Sequence, residues 1–310
     1  MNIVFFGTGD FGVPSLESLK RSHSLAAVIS TPDKPKGRQL RSQPSVTKAW
    51  AIANDIPTFD YDRQDPSGVL GPLKEMRPDL FVVISFGAIL PGDLLTVPRL
   101  YSLNVHASLL PKYRGAAPMQ YALLNGDRET GVTVMRMIER LDAGDILFQK
   151  KTPIGTEEDV LQLEKRLSAL GSEALREGLD RIERGVAEFT VQDERKAGYT
   201  RKIAKNDGRM DWRLPAERLR DRTRAFLGWP GSYFFFQGKR IVVAKTRALP
   251  RNAEAPPGVV LPASGNDGLV VSTGGQSCLV LERLQLEGKK MLPWNEFSKG
   301  FKLRPGDILE

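Results

Sequence analysis

One cysteine, Cys278, and two histidines, His23 and His106, are all that 310 residues contain of either type. A lone cysteine excludes an internal disulfide, and two histidines with one thiol are too few for a Cys/His zinc site, so no metal is expected. Long apolar runs are missing as well. No stretch reaches the roughly 18 consecutive apolar residues of a membrane span, and the opening Met-Asn-Ile-Val-Phe-Phe-Gly lacks the basic start of a secretory signal. A cytoplasmic protein with no membrane partner is the expectation. The sequence has no internal repeat and no low-complexity tract. With 41 % hydrophobic and 26 % charged residues, its composition is that of a folded globular chain. Its length suggests two domains, at about 150 residues each.

Acidic residues run short only in the last third. Residues 1–200 carry 25 Lys and Arg against 26 Asp and Glu, whereas residues 201–310 carry 20 against 11. A neutral body with a basic appendage suits a protein that attracts phosphates, although a solvated basic surface without a partner has the same composition. A smaller group, Lys34, Lys36, Arg38 and Arg41, falls in a Pro- and Gly-broken stretch within 31–45 and is a candidate second contact on a loop.

Short apolar runs alternate with helical patterns over the first 190 residues. Strands are expected at 2–7, 24–31, 79–85, 102–105, 131–137 and 146–151, with helices at 13–21, one ending at 50–54, and others at 65–76, 116–125 and within 157–185. The run Asp79-Leu80-Phe81-Val82-Val83-Ile84-Ser85 lacks alternation, as expected of a strand covered on both faces. This is the pattern of a doubly wound, mostly parallel, Rossmann-like α/β domain spanning 1–200. A basic connector at about 195–207 leads to a helix at 215–226. Short strands then follow at 232–237, 240–245, 258–261, 268–272 and 278–286, as expected of a small β-barrel or sandwich over 201–310.

Gly7-Thr8-Gly9-Asp10-Phe11-Gly12 matches a dinucleotide fingerprint, with Asp33 near the place of a ribose-binding acid. Tight strand-to-helix turns need glycine for steric reasons too, and Pro14 suits a helix start equally well. The pattern alone leaves both readings open, and a nicotinamide-dependent oxidoreductase is one function class it permits.

The chemistry concentrates in Asn104-Val105-His106-Ala107-Ser108-Leu109-Leu110-Pro111-Lys112-Tyr113-Arg114-Gly115-Ala116-Ala117-Pro118, which begins at the end of an expected strand. Ligands in open α/β sheets bind outside such ends. Period-2 spacing puts Asn104 and His106 on one face, where an amide and an imidazole can converge on one reacting atom. Downstream, Leu141-Asp142-Ala143-Gly144-Asp145 places a carboxylate in a turn. A histidine, an amide and an acid suit nucleophilic transfer to a carbonyl. Ser108 lies outside any G-x-S-x-G turn, which argues against a serine hydrolase.

Those segments, together with Phe86-Gly87-Ala88-Ile89-Leu90-Pro91, Thr31-Pro32-Asp33-Lys34-Pro35-Lys36-Gly37-Arg38 and Phe226-Leu227-Gly228-Trp229-Pro230-Gly231, resemble the 10-formyltetrahydrofolate-dependent formyltransferases. Within that family the likeness is to members acting on methionyl-tRNA, and it covers nearly the whole chain. The resemblance implies a catalytic trio of Asn104, His106 and Asp142. It implies a folate site at Ser108, Leu109, Leu110 and Pro111 with Phe86, Gly87, Ile89 and Leu90, whose backbone reads the pterin edge. It further implies an initiator-tRNA contact at Arg38 on the loop that also holds Lys34, Lys36 and Arg41, and a C-terminal OB-like barrel that binds tRNA. Ala107 stands where the family commonly has glycine, and Gly9 where it commonly has proline. The dinucleotide match then looks accidental.

The alternatives are a formyltransferase acting on an amino-sugar nucleotide or hydrolysing the folate, an RNA-binding protein with a relic catalytic domain, and the oxidoreductase. The charged surface suits a monomer.

Overall fold

The computed structural model describes residues 1–36, 41–249, 252–262 and 268–310; for Lys34, Lys36 and Arg41 only the backbone is described. The chain divides into two units, Met1–Pro118 with Glu129–Pro153 and Glu164–Arg201, and Met119–Arg128 with Ile154–Leu163 and Lys202–Glu310.

In chain order the elements of the N-terminal half are β1 (Asn2–Gly7), α1 (Val13–Ser22), β2 (Ser24–Ser30), β3 (Lys34–Lys36), β4 (Arg41–Gln43), α2 (Val46–Ala53), β5 (Thr58–Asp60), α3 (Leu70–Met76), β6 (Leu80–Ile84), α4 (Gly92–Leu95), β7 (Tyr101–His106), β8 (Arg114–Gly115), α5 (Pro118–Leu124), β9 (Glu129–Arg136), β10 (Ile146–Pro153), α6 (Val160–Glu183) and β11 (Tyr199–Thr200). Seven strands form one sheet in the order β10-β9-β7-β6-β1-β2-β5. From β5 to β7 all pairings are parallel, while β9 lies antiparallel on β7 and β10 antiparallel on β9. The unalternating run at β6 is buried at every position, as a central strand covered on both faces requires. Ile3, Val4, Phe5 and Phe6 of β1 are likewise wholly buried, so both faces of the sheet carry core. The sequence pattern gave no sign that β9 would run against its neighbours. The connection from β9 to β10 is short, as antiparallel neighbours allow, whereas β9 reverses on β7 after a longer connection that carries β8 and α5.

Two of the three glycines of the first turn, Gly7 and Gly12, are explained by packing. A Cβ on Gly7 would stand 2.5 Å from the Phe5 ring and one on Gly12 2.9 Å from it. Asp33 is taken up by Lys48, whose ammonium lies 2.7 Å from both Asp33 and Asp60. Gly7, Gly12 and Asp33 are thus accounted for without a dinucleotide, while a Cβ on Gly9 would make only an ordinary contact, 3.7 Å from that of Ser85.

The second unit contains α7 (Ala216–Ala225), β12 (Ser232–Phe236), β13 (Lys239–Leu249), β14 (Leu269–Thr273), β15 (Ser277–Leu286), β16 (Leu292–Pro293) and α8 (Trp294–Gly300). Its antiparallel sheet runs β12-β13-β15-β14, with β16 also on β15. Trp212, Phe234, Ile241, Val271, Leu279, Leu281 and Phe297 form its core. Among the described residues no pairing joins β12 to β14. The stretch expected as a strand at 258–261 makes only isolated bridges, Val259 to Ile308 and Val260 to Val271. Arginines of α7 tie in the two earlier segments of this unit: Arg218 donates to the Leu124 carbonyl at 3.0 Å, and Arg224 to those of Gly155 and Glu158 at 3.2 and 3.1 Å.

Candidate active site

Neighbouring parallel strands β6 and β7 deliver two loops to one end of the sheet. Asn104 pairs with Val83 of β6 on one side and with Met135 of β9 on the other, while His106 pairs with Thr133. Asn104 is half-buried, and its amide makes no hydrogen bond to another described residue. An amide two positions before the histidine, on the same face of the strand, is thus open to a ligand.

His106 is buried, with one ring nitrogen committed. Its Nε2 lies 2.9 Å from the Tyr113 carbonyl. A carbonyl can only accept, so Nε2 carries a hydrogen and donates it. The other nitrogen, Nδ1, faces Asp142 Oδ2 at 3.7 Å, beyond direct hydrogen-bond length. That carboxylate is steadied by the Gly115 backbone N–H, which donates to Oδ2 at 2.7 Å. Gly115 has φ +110°, and a Cβ there would stand 2.4 Å from the Thr200 carbonyl, so only glycine fits. The second histidine, His23, caps the C-terminal end of α1 beside Glu183, and burial lowers its pKa. It lies on a different part of the fold and plays no part in this arrangement.

The loop after β7 is built around Thr133. Its hydroxyl donates to the Ser108 carbonyl at 2.6 Å and accepts from the Leu110 N–H at 3.1 Å and from Gln149 Nε2 at 2.9 Å. Gln149 Nε2 also lies 2.9 Å from the Leu110 carbonyl. The Ser108 hydroxyl turns inward to the Lys112 carbonyl at 2.6 Å, so this side chain shapes the loop. Leu110 is buried, whereas Leu109 and Pro111 are half-exposed.

The loop after β6 divides by position. Phe86 and Leu90 are core residues, with Phe86 edge-on to Phe6 and Tyr61 at centroid distances of 5.4 and 5.3 Å. Gly87 and Ile89 are exposed. The surface this loop offers is therefore backbone with the Ile89 side chain, while Phe86 and Leu90 anchor it from beneath. Arg63, absent from the sequence reading, donates to the Gly87 carbonyl.

The structure thus brings Asn104, His106 and Asp142 together beside the two loops. It does not bear on Arg38, which lies outside the described residues, nor on the side chains of Lys34, Lys36 and Arg41; β3 and β4 pair antiparallel with Lys36 opposite Arg41. Thr133, Gln149 and the Tyr113 carbonyl were not singled out from the sequence. A threonine inside a β-strand run carries no local mark, and a carbonyl carries none at all. Among the described residues no group of three or more His, Cys, Asp and Glu could hold a metal ion, and no helix is long and apolar enough to cross a membrane.

Comparison with known proteins gives one consistent result. A family model described as Formyl transferase matches residues 1–179, and one described as Formyl transferase, C-terminal domain, matches 202–302. A methionyl-tRNA formyltransferase of Citrifermentans bemidjiense is 42 % identical over 310 residues, covering 100 % of this chain and 96 % of the relative. That of Sulfurihydrogenibium sp. is 36 % identical over 312 residues, covering 100 % of both. Among solved structures, an N-formyltransferase from Helicobacter canadensis in complex with folinic acid and dTDP-3-aminofucose matches with a TM-score of 0.68 at 18 % identity, over 90 % of this chain and 98 % of that one. HypX from Aquifex aeolicus in complex with tetrahydrofolic acid matches at 0.64 and 18 %, over 99 % of this chain and 50 % of that one. At such identities the structural likeness establishes the fold alone. The identities over full length and both matched domains go further: this chain is a formyltransferase and belongs to the methionyl-tRNA formyltransferase family.

Proposed function

We propose that Asn104, His106 and Asp142 carry the transfer of formyl from 10-formyltetrahydrofolate to the free amino group of initiator methionyl-tRNA. The observation that carries this reading is the commitment of His106 Nε2 to Tyr113, which leaves Nδ1 turned toward Asp142 beside the unpartnered Asn104 amide. To donate from Nδ1 as well, the ring must hold both protons. Asp142 is the counter-charge for that cation.

As the neutral amine attacks the formyl carbon, the formyl oxygen gains negative charge, which Asn104 and His106 Nδ1 stabilise as hydrogen-bond donors. Such donors are worth about 3–4 kcal/mol each in comparable sites. The new C–N bond gives a tetrahedral oxyanion, whose collapse breaks the bond to N10 of the folate. One proton passes from the amine to N10, with Asp142 as its relay, directly or through water. The loops after β6 and β7 fit the donor: both flank the trio, over apolar anchors at Phe86, Leu90 and Leu110.

The C-terminal unit, read here as an OB-like module, and the loop with Lys34, Lys36, Arg38 and Arg41 hold the tRNA. Lys289, Lys290, Lys299, Lys302 and Arg304 are exposed, and none makes an ion pair with another described residue. This supports the basic unit as the phosphate contact, because unpaired cations can neutralise phosphates and displace the counterions condensed on them.

The test is replacement of each group. Alanine at Asn104, His106 or Asp142 lowers kcat by about 100-fold or more, with folate affinity retained. Charge removal at Arg38 or at Lys299 with Lys302 raises KM for tRNA and flattens its salt dependence. Wild-type kinetics in these variants would refute the respective assignment.

A further inference from the structure

Gln192, in the stretch between α6 and β11, is nearly fully buried and uses its whole amide. Its Oε1 accepts from Arg114 Nε at 3.0 Å and from the Arg114 terminal nitrogen at 2.8 Å. Its Nε2 donates to the carbonyl of Asp142 at 2.9 Å and to that of Gly144 at 2.7 Å. A guanidinium only donates and a carbonyl only accepts, so only one orientation of the amide satisfies all four bonds. The Arg114 side chain is completely buried. Its remaining donors reach Glu194 at 2.9 and 3.2 Å and the Tyr199 hydroxyl at 3.0 Å.

Asp142 is held from both ends by this arrangement. Its carboxylate receives the Gly115 N–H, and its carbonyl receives Gln192, which Arg114 orients. Asp142 has φ +49°, in the left-handed region where a side chain other than glycine is strained. Such a conformation persists only where its surroundings over-determine it. Arg114 is itself tied down by the segment on its far side: its N–H donates to the Gly198 carbonyl at 2.7 Å, and β8 pairs parallel with β11.

We propose that Gln192 and Arg114 are positioning residues for the reaction: together they hold the Asp142 turn so that its carboxylate faces His106 Nδ1. Both side chains are buried, and they act through Asp142. The inference rests on the catalytic reading of Asp142 given above.

Gln192→Glu separates positioning from packing. The shape is kept and the contact with Arg114 becomes an ion pair, but two donors to the 142–144 turn become acceptors facing carbonyls. The thermal midpoint is expected to fall, since two carbonyls lose their donor, with the chain still folded at the assay temperature; KM for 10-formyltetrahydrofolate is expected to stay within about twofold, while kcat falls about 100-fold, the scale of a misplacement near 1 Å. Gln192→Met, which keeps volume but removes every hydrogen bond, is expected to show the same split between kcat and KM. Should neither fold, Glu194→Gln is the substitute, since it loosens Arg114 from an exposed position, and it is expected to lower kcat severalfold. Unchanged kcat in a folded Gln192 variant, or in Glu194→Gln where neither folds, would overturn the proposal. Asp142→Asn, measured alongside, distinguishes the two claims. Full activity there would overturn the catalytic reading and this inference with it, whereas an inactive Asp142→Asn beside a fully active Gln192→Glu would overturn the inference alone.

Discussion

The Tyr113 carbonyl accepts from His106 Nε2 at 2.9 Å, and this contact decides which end of the imidazole faces the chemistry. Tyr113 itself has φ +65°, so the loop takes an uncommon backbone conformation at the residue that supplies the carbonyl. The ring is anchored by one nitrogen and presents the other.

The asparagine amide nitrogen lies near the place of imidazole Nδ1, and that of glutamine near Nε2. His106→Asn is expected to keep a donor toward the formyl oxygen and lose the anchor; His106→Gln is expected to keep the anchor and lose the donor. Both lower kcat by about 100-fold or more, and His106→Asn retains the larger residue of activity. Single-turnover rates at saturating folate check the order. Greater residual activity in His106→Gln would assign the chemistry to the other nitrogen.

Thr133 is the hub of the loop after β7. Thr133→Val keeps the shape and strands the Leu110 N–H and the Ser108 carbonyl, both buried. Leaving such groups unpaired costs about 1–3 kcal/mol each. Urea unfolding is expected to show a loss in this range, with a raised KM for the folate donor because the loop loses its form. A stable variant with unaltered KM would show that the loop is held by other means.

The Glu194 carboxyl is held down to about 2 by its hydrogen bonds to Arg114 and then to Arg140. A carboxyl whose folded pKa is depressed binds fewer protons folded than unfolded, so its stabilisation is complete above about 4.5 and is lost as pH falls toward 2. The carboxylate is more than half exposed, which makes the contribution modest and weakened by salt. The stability difference between wild type and Glu194→Gln is therefore expected to be constant from pH 7 to about 5 and to shrink below it. Chemical unfolding at pH 7, 5 and 3.5 measures this. A difference that grew on acidification would contradict the ion pair.

The sequence was legible where the physics is local. Asn104 and His106 share a face because strands have a period of two, and β6 reads as central because every residue of Leu80–Ile84 is apolar. Long-range contacts left no local trace. Arg114 and Gln192 are 78 residues apart, and neither pattern nor composition joins them. The antiparallel edge formed by β9 and β10 was not legible, since apolar runs do not encode direction. The helix α8 went unread because Trp294-Asn295-Glu296-Phe297 carries too short a pattern. For the loop after β6, the resemblance supplied Phe86, Gly87, Ile89 and Leu90 as one set. Only the packing separates the buried Phe86 and Leu90, which support the loop, from the exposed Gly87 and Ile89, which offer its surface.

The most direct test is transfer of formyl from 10-formyltetrahydrofolate to methionine-charged initiator tRNA, with charged elongator tRNA and free methionine in parallel. Formylation of the initiator alone, lost in Asp142→Asn, is the result expected. Formylation of none of the three by a chain that still binds folate would contradict the tRNA assignment, and would direct attention to amino-sugar nucleotides as acceptors.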